Sequence, residues 1–550
     1  MINQRMSDKG KTGQSMAVEQ LINVDDHILE PWLEVTGMFF AGEVVDELKL
    51  GTVSPLPKSL GAFRPVTLLE PIYKCCMGTM ASRLLHALHE FGLLDGAQYG
   101  FVKDGSCVEP LTIMARIFER GRGEKGEEIH VAFLDATSAF DSVPHTALDA
   151  ALKRLGAPPD FVTWLRKVLS GHKRKAATAY EVDGDDKAVQ LDGGTPQGDP
   201  ASPAIWVIVM DYALAVMRAK GPKAYDVRMG GEALRVCAFA DDLAAVSHTR
   251  EGLQAMVQTL VAAMGAIGVR FNARKSYYLW SAAAARKAGR EPTDAPPGLL
   301  EVDVLDADGR WRRAPLTSVP PEGDAEGDTL ERRGAARYLG VYFSFEGCDG
   351  EAWAEQDKYT DRIVNAFFAS CELVEPTPRQ YVTLVRSLLI SKVAYGGRVR
   401  VPPEEVLENI RWRTAQGLAR LLRLGSLGGY GTQEAAADAA MLLSPEEALG
   451  GGVPDVRADL LAEVAVDVLA LLHSPSPAGR AAVASPATEA ASGEMAATLE
   501  LLRKEAGLTL HKRQKEEYLG SAAAAAAAAA DATANGTDGG GGGSGGGVGG

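Results

Sequence analysis

Across the middle of the chain, apolar residues come in short runs that stop at Asp, Gly or Pro; further on they recur at helical spacing. Val131–Leu134 (VAFL) is a four-residue apolar run, long enough for a buried strand, and Asp135 stands at its end. From about Pro144 the segment PHTALDAALKRLG has the pattern of a helix. Leu234–Ala240 (LRVCAFA) and Leu243–Val246 are apolar on both sides of Asp241-Asp242, which predicts a β-hairpin whose tight turn displays two adjacent carboxylates. Gly193–Pro203 (GGTPQGDPASP) is a loop by its glycines and prolines, and a helix is predicted directly after it over Ala204–Ala219.

The same pattern divides the chain. Residues 1–50 are acidic and lack a strong motif, and residues 51–346 alternate strands, helices and turns. Within them, about 282–333 is rich in Pro and acidic residues and suggests an insertion with a hairpin around Asp306–Gly309. Residues 352–450 read as helices and 451–520 as a helical C-terminal extension. The tail 521–550, an alanine run into a glycine-rich end, has too little side-chain diversity to specify a core and is expected to be disordered.

Composition narrows the class. At 46% hydrophobic residues, a sizeable core can form. No continuous apolar stretch approaches a membrane span, and the polar start shows no secretory signal, so an intracellular protein without a membrane partner is expected. None of the six cysteines forms a CxxC pair, which removes zinc-finger and zinc-knuckle readings and fits reduced thiols. The net charge of −15 sits mostly at the ends, −5 in residues 1–50 and −9 in 425–550, so residues 51–424 are almost neutral. Near-neutrality permits a local basic channel, and nucleic-acid binding follows the local field.

Asp135 by itself reads as an N-cap for the following helix. The doublet changes that. Asp25-Asp26 and Asp185-Asp186 lack apolar strands on both flanks, whereas Asp241-Asp242 puts like charges beside a buried sheet, which is costly unless a cation neutralises them. Magnesium held by one or two carboxylates plus substrate phosphates suits such a place. Asp135 on a neighbouring strand would complete a two-metal clamp for in-line phosphoryl transfer.

Taken together, these segments resemble the palm motifs of reverse transcriptases, particularly those of non-LTR (LINE-type) retrotransposons. Phe133–Asp141 resembles the first palm motif, which implies Asp135 as a metal ligand and Phe140 as the ring that excludes a ribose 2′-hydroxyl. Gln197-Gly198 with Ser202-Pro203 matches QGxxxSP, implying contacts from Gln197 and Gly198 to the incoming nucleotide and template base. Phe239–Asp242 is the FADD form of the signature, making Asp241 and Asp242 catalytic metal ligands with Asp135. Gly268–Leu279 is similar to the next motif and would set Lys275 near the triphosphate, and Arg337–Phe343 resembles the hairpin that grips the primer end. Lys58–Arg83 and Gln98–Phe101 resemble the fingers motifs, with Arg64 the candidate clamp on the triphosphate, since a planar donor fork matches phosphate oxygens. Ser138 departs from the family, which often has lysine there.

The resemblance implies an α+β right-hand polymerase: fingers, an antiparallel-sheet palm and a helical thumb. In that thumb Arg413, Arg420 and Arg423 would lie near one face of a helix Glu404–Leu424, either riding on phosphates or merely solvated. The implied function is RNA-directed DNA synthesis for a retrotransposon, with an RNA template, a DNA primer, deoxynucleoside triphosphates and two Mg2+ ions, Mn2+ being an alternative. About fifty residues ahead of the fingers cannot hold an apurinic-type nuclease, so a fragment or truncated copy is expected. The rivals are an RNA-directed RNA polymerase, and an inactive nucleic-acid-binding descendant of a retroelement.

Overall fold

In a computed structural model of the protein, the residues described are 26–59, 62–103, 105–123, 125–137, 143–176, 189–191, 193–221, 223, 226–272, 275–289, 300–305, 311–315, 335–345, 351–397, 399, 401–424 and 455–484. Along the chain, helix α1 (Asp26–Phe40) and a 3-10 turn lead into strands β1 (Leu50–Ser59) and β2 (Ala62–Leu68), then helices α2 (Pro71–Glu90) and α3 (Val108–Arg120). Strand β3 (His130–Thr137) precedes α4 (His145–Arg154) and α5 (Pro159–Leu169), β4 (His172–Ala176), β5 (Val189–Leu191) and α6 (Ser202–Lys220). Four short strands follow: β6 (Val227–Met229), β7 (Glu232–Leu234), β8 (Val236–Phe239) and β9 (Asp242–Ser247). After α7 (Arg250–Ala266) come β10 (Arg270–Phe271), β11 (Tyr277–Trp280), α8 (Ala282–Lys287) and the hairpins β12 (Glu301–Leu305)–β13 (Trp311–Pro315) and β14 (Ala335–Tyr338)–β15 (Val341–Ser344). The remainder is helical: α9 (Glu351–Val374), α10 (Pro378–Leu384) running through a π-helical stretch into α11 (Ser391–Gly397), then α12 (Glu404–Leu421), α13 (Val456–Leu472) and α14 (Pro477–Ala484).

The central sheet has the order β10-β3-β9-β8, with β11 also on β3, and every pairing is antiparallel. Its strands alternate between two cores, as a period of two requires. Ala132, Leu134, Leu243 and Ala245 face one core, filled by α2 and α4–α7, with Trp206 of α6 fully buried. Val131, Phe133, Ala244 and Val246 face the other, made with α3, the β14–β15 hairpin and α14. There Phe133 stacks on Phe118 and Tyr338. A second sheet, β2-β1-β4-β5, stands apart from the central one.

Several expectations need adjustment. The run Leu234–Ala240 is not one strand: Leu234 ends β7, which pairs with β6, and β8 starts at Val236. Helix α6 is by length and composition apolar enough to cross a membrane, contrary to the expectation that no segment approaches a span; 67% of that window is buried within the protein. The segment from 282 opens with a helix whose N-cap is Ser281, and the predicted hairpin is present as β12–β13, its turn 306–310 lying outside the described residues. Phe39 and Leu48 of the acidic N-terminal segment are buried in the first core. Cys75, Cys76, Cys107, Cys237 and Cys371 are free thiols. The expectation for the tail 521–550 lies outside the described residues.

The C-terminal helices return to the sheet. Ser474 Oγ donates to the half-buried Glu109 carboxylate at 2.9 Å, and Arg116 donates to the carbonyl of Ala482 at 2.8 Å, so α13–α14 is fastened to α3.

Candidate active site

Strands β3 and β9 pair in a register that sets Asp135 opposite Asp242. Directly opposed residues hold their Cβ atoms about 4.5–5.5 Å apart and on one face of the sheet. That face is the one bearing Phe133 and Ala244, two residues back from Asp135 and two on from Asp242. The apolar run of β3 thus fixes where its terminal carboxylate points.

Phe239 pairs with Asp242, leaving Ala240-Asp241 as a two-residue connection. Asp241 alone sits in the turn; Asp242 is the first residue of β9 and not part of the turn, a correction to the predicted hairpin tip. Ala240 is buried and has φ +57°, while Asp241 has no positive φ, the sign pattern of a type II′ turn. Such a turn favours glycine at that first position, because a left-handed Cβ costs roughly 1–2 kcal/mol. What offsets the cost is tertiary. Gln98, from a segment beside β8, accepts the Ala240 N–H at 3.0 Å.

Asp135 is held by the connection between β10 and β11. Its carbonyl accepts from the Asn272 N–H at 2.8 Å, and its N–H donates to Ser276 Oγ at 3.1 Å. Asn272, Ser276 and Gln98 are the positioning residues that motif spacing does not single out. Gln98 lies inside a stretch quoted for its resemblance, but periodicity gives it no role.

Burial, then Asp241, then Asp135 push the Asp242 carboxyl up to about 7. Asp242 therefore feels both of the other carboxylates. Among the described residues, no three carboxylate, imidazole or thiol groups already form a cage for an ion. The donor set is nonetheless all hard oxygen, and crowded negative charge at the end of a buried sheet matches a divalent ion completed by substrate phosphates. Burial raises Tyr338 and Tyr395 as well, and both also feel Asp242. Tyr395 of α11 donates to the carbonyl of Leu339 at 2.5 Å, where Leu339 and Gly340 make the positive-φ turn of β14–β15. That hairpin is thereby fixed beside the carboxylates.

The other predicted residues are more dispersed. Lys275 is exposed in the same connection that braces Asp135. Gln197 and Gly198 form the loop before α6, docked on β2 through the Thr67 N–H, which donates to the Gln197 carbonyl at 2.6 Å. Arg64 is exposed on β2, opposite Leu56. Phe140 lies outside the described residues. The three arginines do not share an open face: α12 stops at Leu421, with Arg423 beyond it at φ +58°. Arg413 donates to Asn365 and lies 4.4 Å from the Phe368 ring centroid, and Arg420 pairs with Glu372, all on α9.

The site's class follows from comparison with known proteins. A family model described as reverse transcriptase (RNA-dependent DNA polymerase) matches residues 56–343, more than half of the chain, and the chain belongs to that family. With it goes a polymerase fold of the α+β kind and, in the family generally, the use of divalent metal ions. The chain is similar to Pol polyproteins of non-LTR, R2-type retrotransposable elements. The type-2 element R2DM of Drosophila melanogaster is 24% identical over 316 residues, 56% of this chain and 26% of that protein. The type-1 element R2 of Nasonia vitripennis is 30% identical over 229 residues, 42% and 21%. That of Popillia japonica is 26% identical over 337 residues, 61% and 41%. The chain thus spans between about a fifth and two fifths of the length of these relatives.

Proposed function

We propose that the chain is an RNA-directed DNA polymerase of a non-LTR retrotransposon, extending a primer 3′-hydroxyl with deoxynucleotides on an RNA template. The observation that carries it is the register setting Asp135 against Asp242, with Asp241 next in the turn. In this reading the central sheet is the palm, β2-β1-β4-β5 belongs to the fingers, and α9–α12 form the thumb.

Asp135, Asp241 and Asp242 would hold two Mg2+ ions. When bound, such ions lower the pKa of the attacking hydroxyl and neutralise charge on the departing pyrophosphate. The chain's own groups position and stabilise. Arg64 would bind triphosphate oxygens, Lys275 would protonate the leaving pyrophosphate, and Gln197-Gly198 would orient the nucleotide against the template base. The β14–β15 turn, held by Tyr395, supports the primer end. Phe140 would exclude ribonucleotides.

The test is primer extension on poly(rA)–oligo(dT) with Mg2+, comparing wild type with Asp241→Ala. Extension should need the wild-type carboxylate and deoxynucleotides. Equal extension by both proteins, or none by wild type across salt and metal conditions, would remove the proposal. Preference for ribonucleotides would favour an RNA polymerase.

A further inference from the structure

We propose that Gln98 is a positioning residue for metal binding, setting the turn that presents Asp241; this rests on the polymerase reading of the carboxylates. Gln98 is only 5% exposed. Its side-chain oxygen accepts two backbone N–H groups, from Gly100 at 2.8 Å and from Ala240 at 3.0 Å. Two donors on one atom require that atom to be the amide oxygen. Ala240 is the residue at φ +57° immediately before Asp241, and the turn has only two residues, so any rotation there re-aims the Asp241 carboxylate.

The surrounding backbone is built for the same contact. The Ala238 N–H donates to the Ala97 carbonyl at 2.8 Å, and the Tyr99 N–H donates to the Ala238 carbonyl at 2.7 Å. Residues 97–99 are thus laced to β8 just before the turn. A Cβ on Gly100 would lie 2.5 Å from the Ala240 nitrogen, so only glycine lets this segment approach so closely. The Gln98 side-chain nitrogen has no hydrogen-bond partner among the described residues, so the amide is held by its oxygen alone. Gln98 and Ala240 are 142 positions apart, which makes the brace tertiary and independent of hairpin propensity.

The experiment uses the full chain with Mn2+ as the probe, reading free Mn2+ by electron paramagnetic resonance with annealed poly(rA)–oligo(dT) present. Primer extension with Mg2+ is followed in parallel. Gln98→Met keeps length but removes the acceptor, and Gln98→Glu keeps the acceptor. The Met variant should raise half-saturating Mn2+ and lower kcat by about tenfold or more, the usual effect of losing a group that orients metal ligands, with KM for primer–template almost unchanged. The Glu variant should recover most of both. Gln98→Asn draws the oxygen back by one methylene and should show the same split at smaller amplitude, which decides the matter if the Met variant does not fold. Wild-type Mn2+ affinity in the Met and Asn variants, or equal losses in metal and primer–template binding, would overturn the proposal. Mn2+ binding that depends on Gln98 in a protein unable to extend primers would support it while removing the polymerase reading.

Discussion

Replacing Asp242 by asparagine should make the metal-free protein more stable while abolishing its activity. The folded carboxyl sits near pH 7 against an ordinary value of 3.8, pushed up by burial and then by Asp241 and Asp135. At about 1.36 kcal/mol per pH unit, ionising it in the fold costs at most about 4 kcal/mol at pH 8. The group keeps some solvent contact, and screening lowers the working figure to about 2 kcal/mol. Because the folded pKa lies above the unfolded one, the group's favourable contribution is complete below about pH 4 and is lost as pH climbs through about 7. Asparagine escapes that loss. Melting in EDTA at pH 8 should therefore place Asp242→Asn roughly 2 °C above wild type, and at pH 4.5 the gap should shrink to about half a degree. Mg2+ with primer–template should reverse the order, since only the wild type gains the ion's attraction. A lower midpoint for the variant at pH 8 in EDTA, or a gap that ignores pH, would refute the electrostatic account.

Three further outcomes follow from the geometry. Gly198→Ala would set a Cβ 2.2 Å from the Thr67 carbonyl at φ +121°; displacing the loop should raise KM for deoxynucleotides about tenfold, roughly the 1–3 kcal/mol of local strain, in a steady-state nucleotide titration. Tyr395→Phe removes the donor to Leu339; losing about 1 kcal/mol there should weaken primer–template binding several-fold in a filter-binding assay and leave nucleotide KM alone. A chain ending at residue 454 loses the Ser474 and Ala482 contacts to α3. It should unfold at lower denaturant, by several kcal/mol of lost burial, while a chain ending at residue 520 keeps the wild-type midpoint.

The carboxylates were legible because each stands where an apolar run stops, and strand periodicity then dictates which face they share. Asn272, Ser276 and Gln98 were not, since they act through a few hydrogen bonds to backbone from segments distant in sequence, a signal that no periodicity carries. The arginines of α12 looked like one charged stripe at helical spacing. Pattern does not reveal that α9 supplies Asn365, Phe368 and Glu372 to meet two of them, nor that the helix ends before the third. Helix α6 misled in the opposite sense: it is interrupted by Asp211, which pairs with Arg154, so the run looked too polar for a span although its average is not. The break into α10 was readable in principle, since Thr377 and Gln380 form a capping box with Pro378 at the first helical position.

The clasp between Arg116 and Ala482 joins positions 366 residues apart. At about 5–20 residues per second on a ribosome, roughly 20–70 s pass between the emergence of α3 and the arrival of its partner. Throughout that interval Glu109 and Arg116 lack these closing contacts, and the part of the core that α14 fills stays open. Newborn chains are thus exposed to chaperones and to premature association until Ala482 has been made, and nascent molecules halted before it would be the ones to clump.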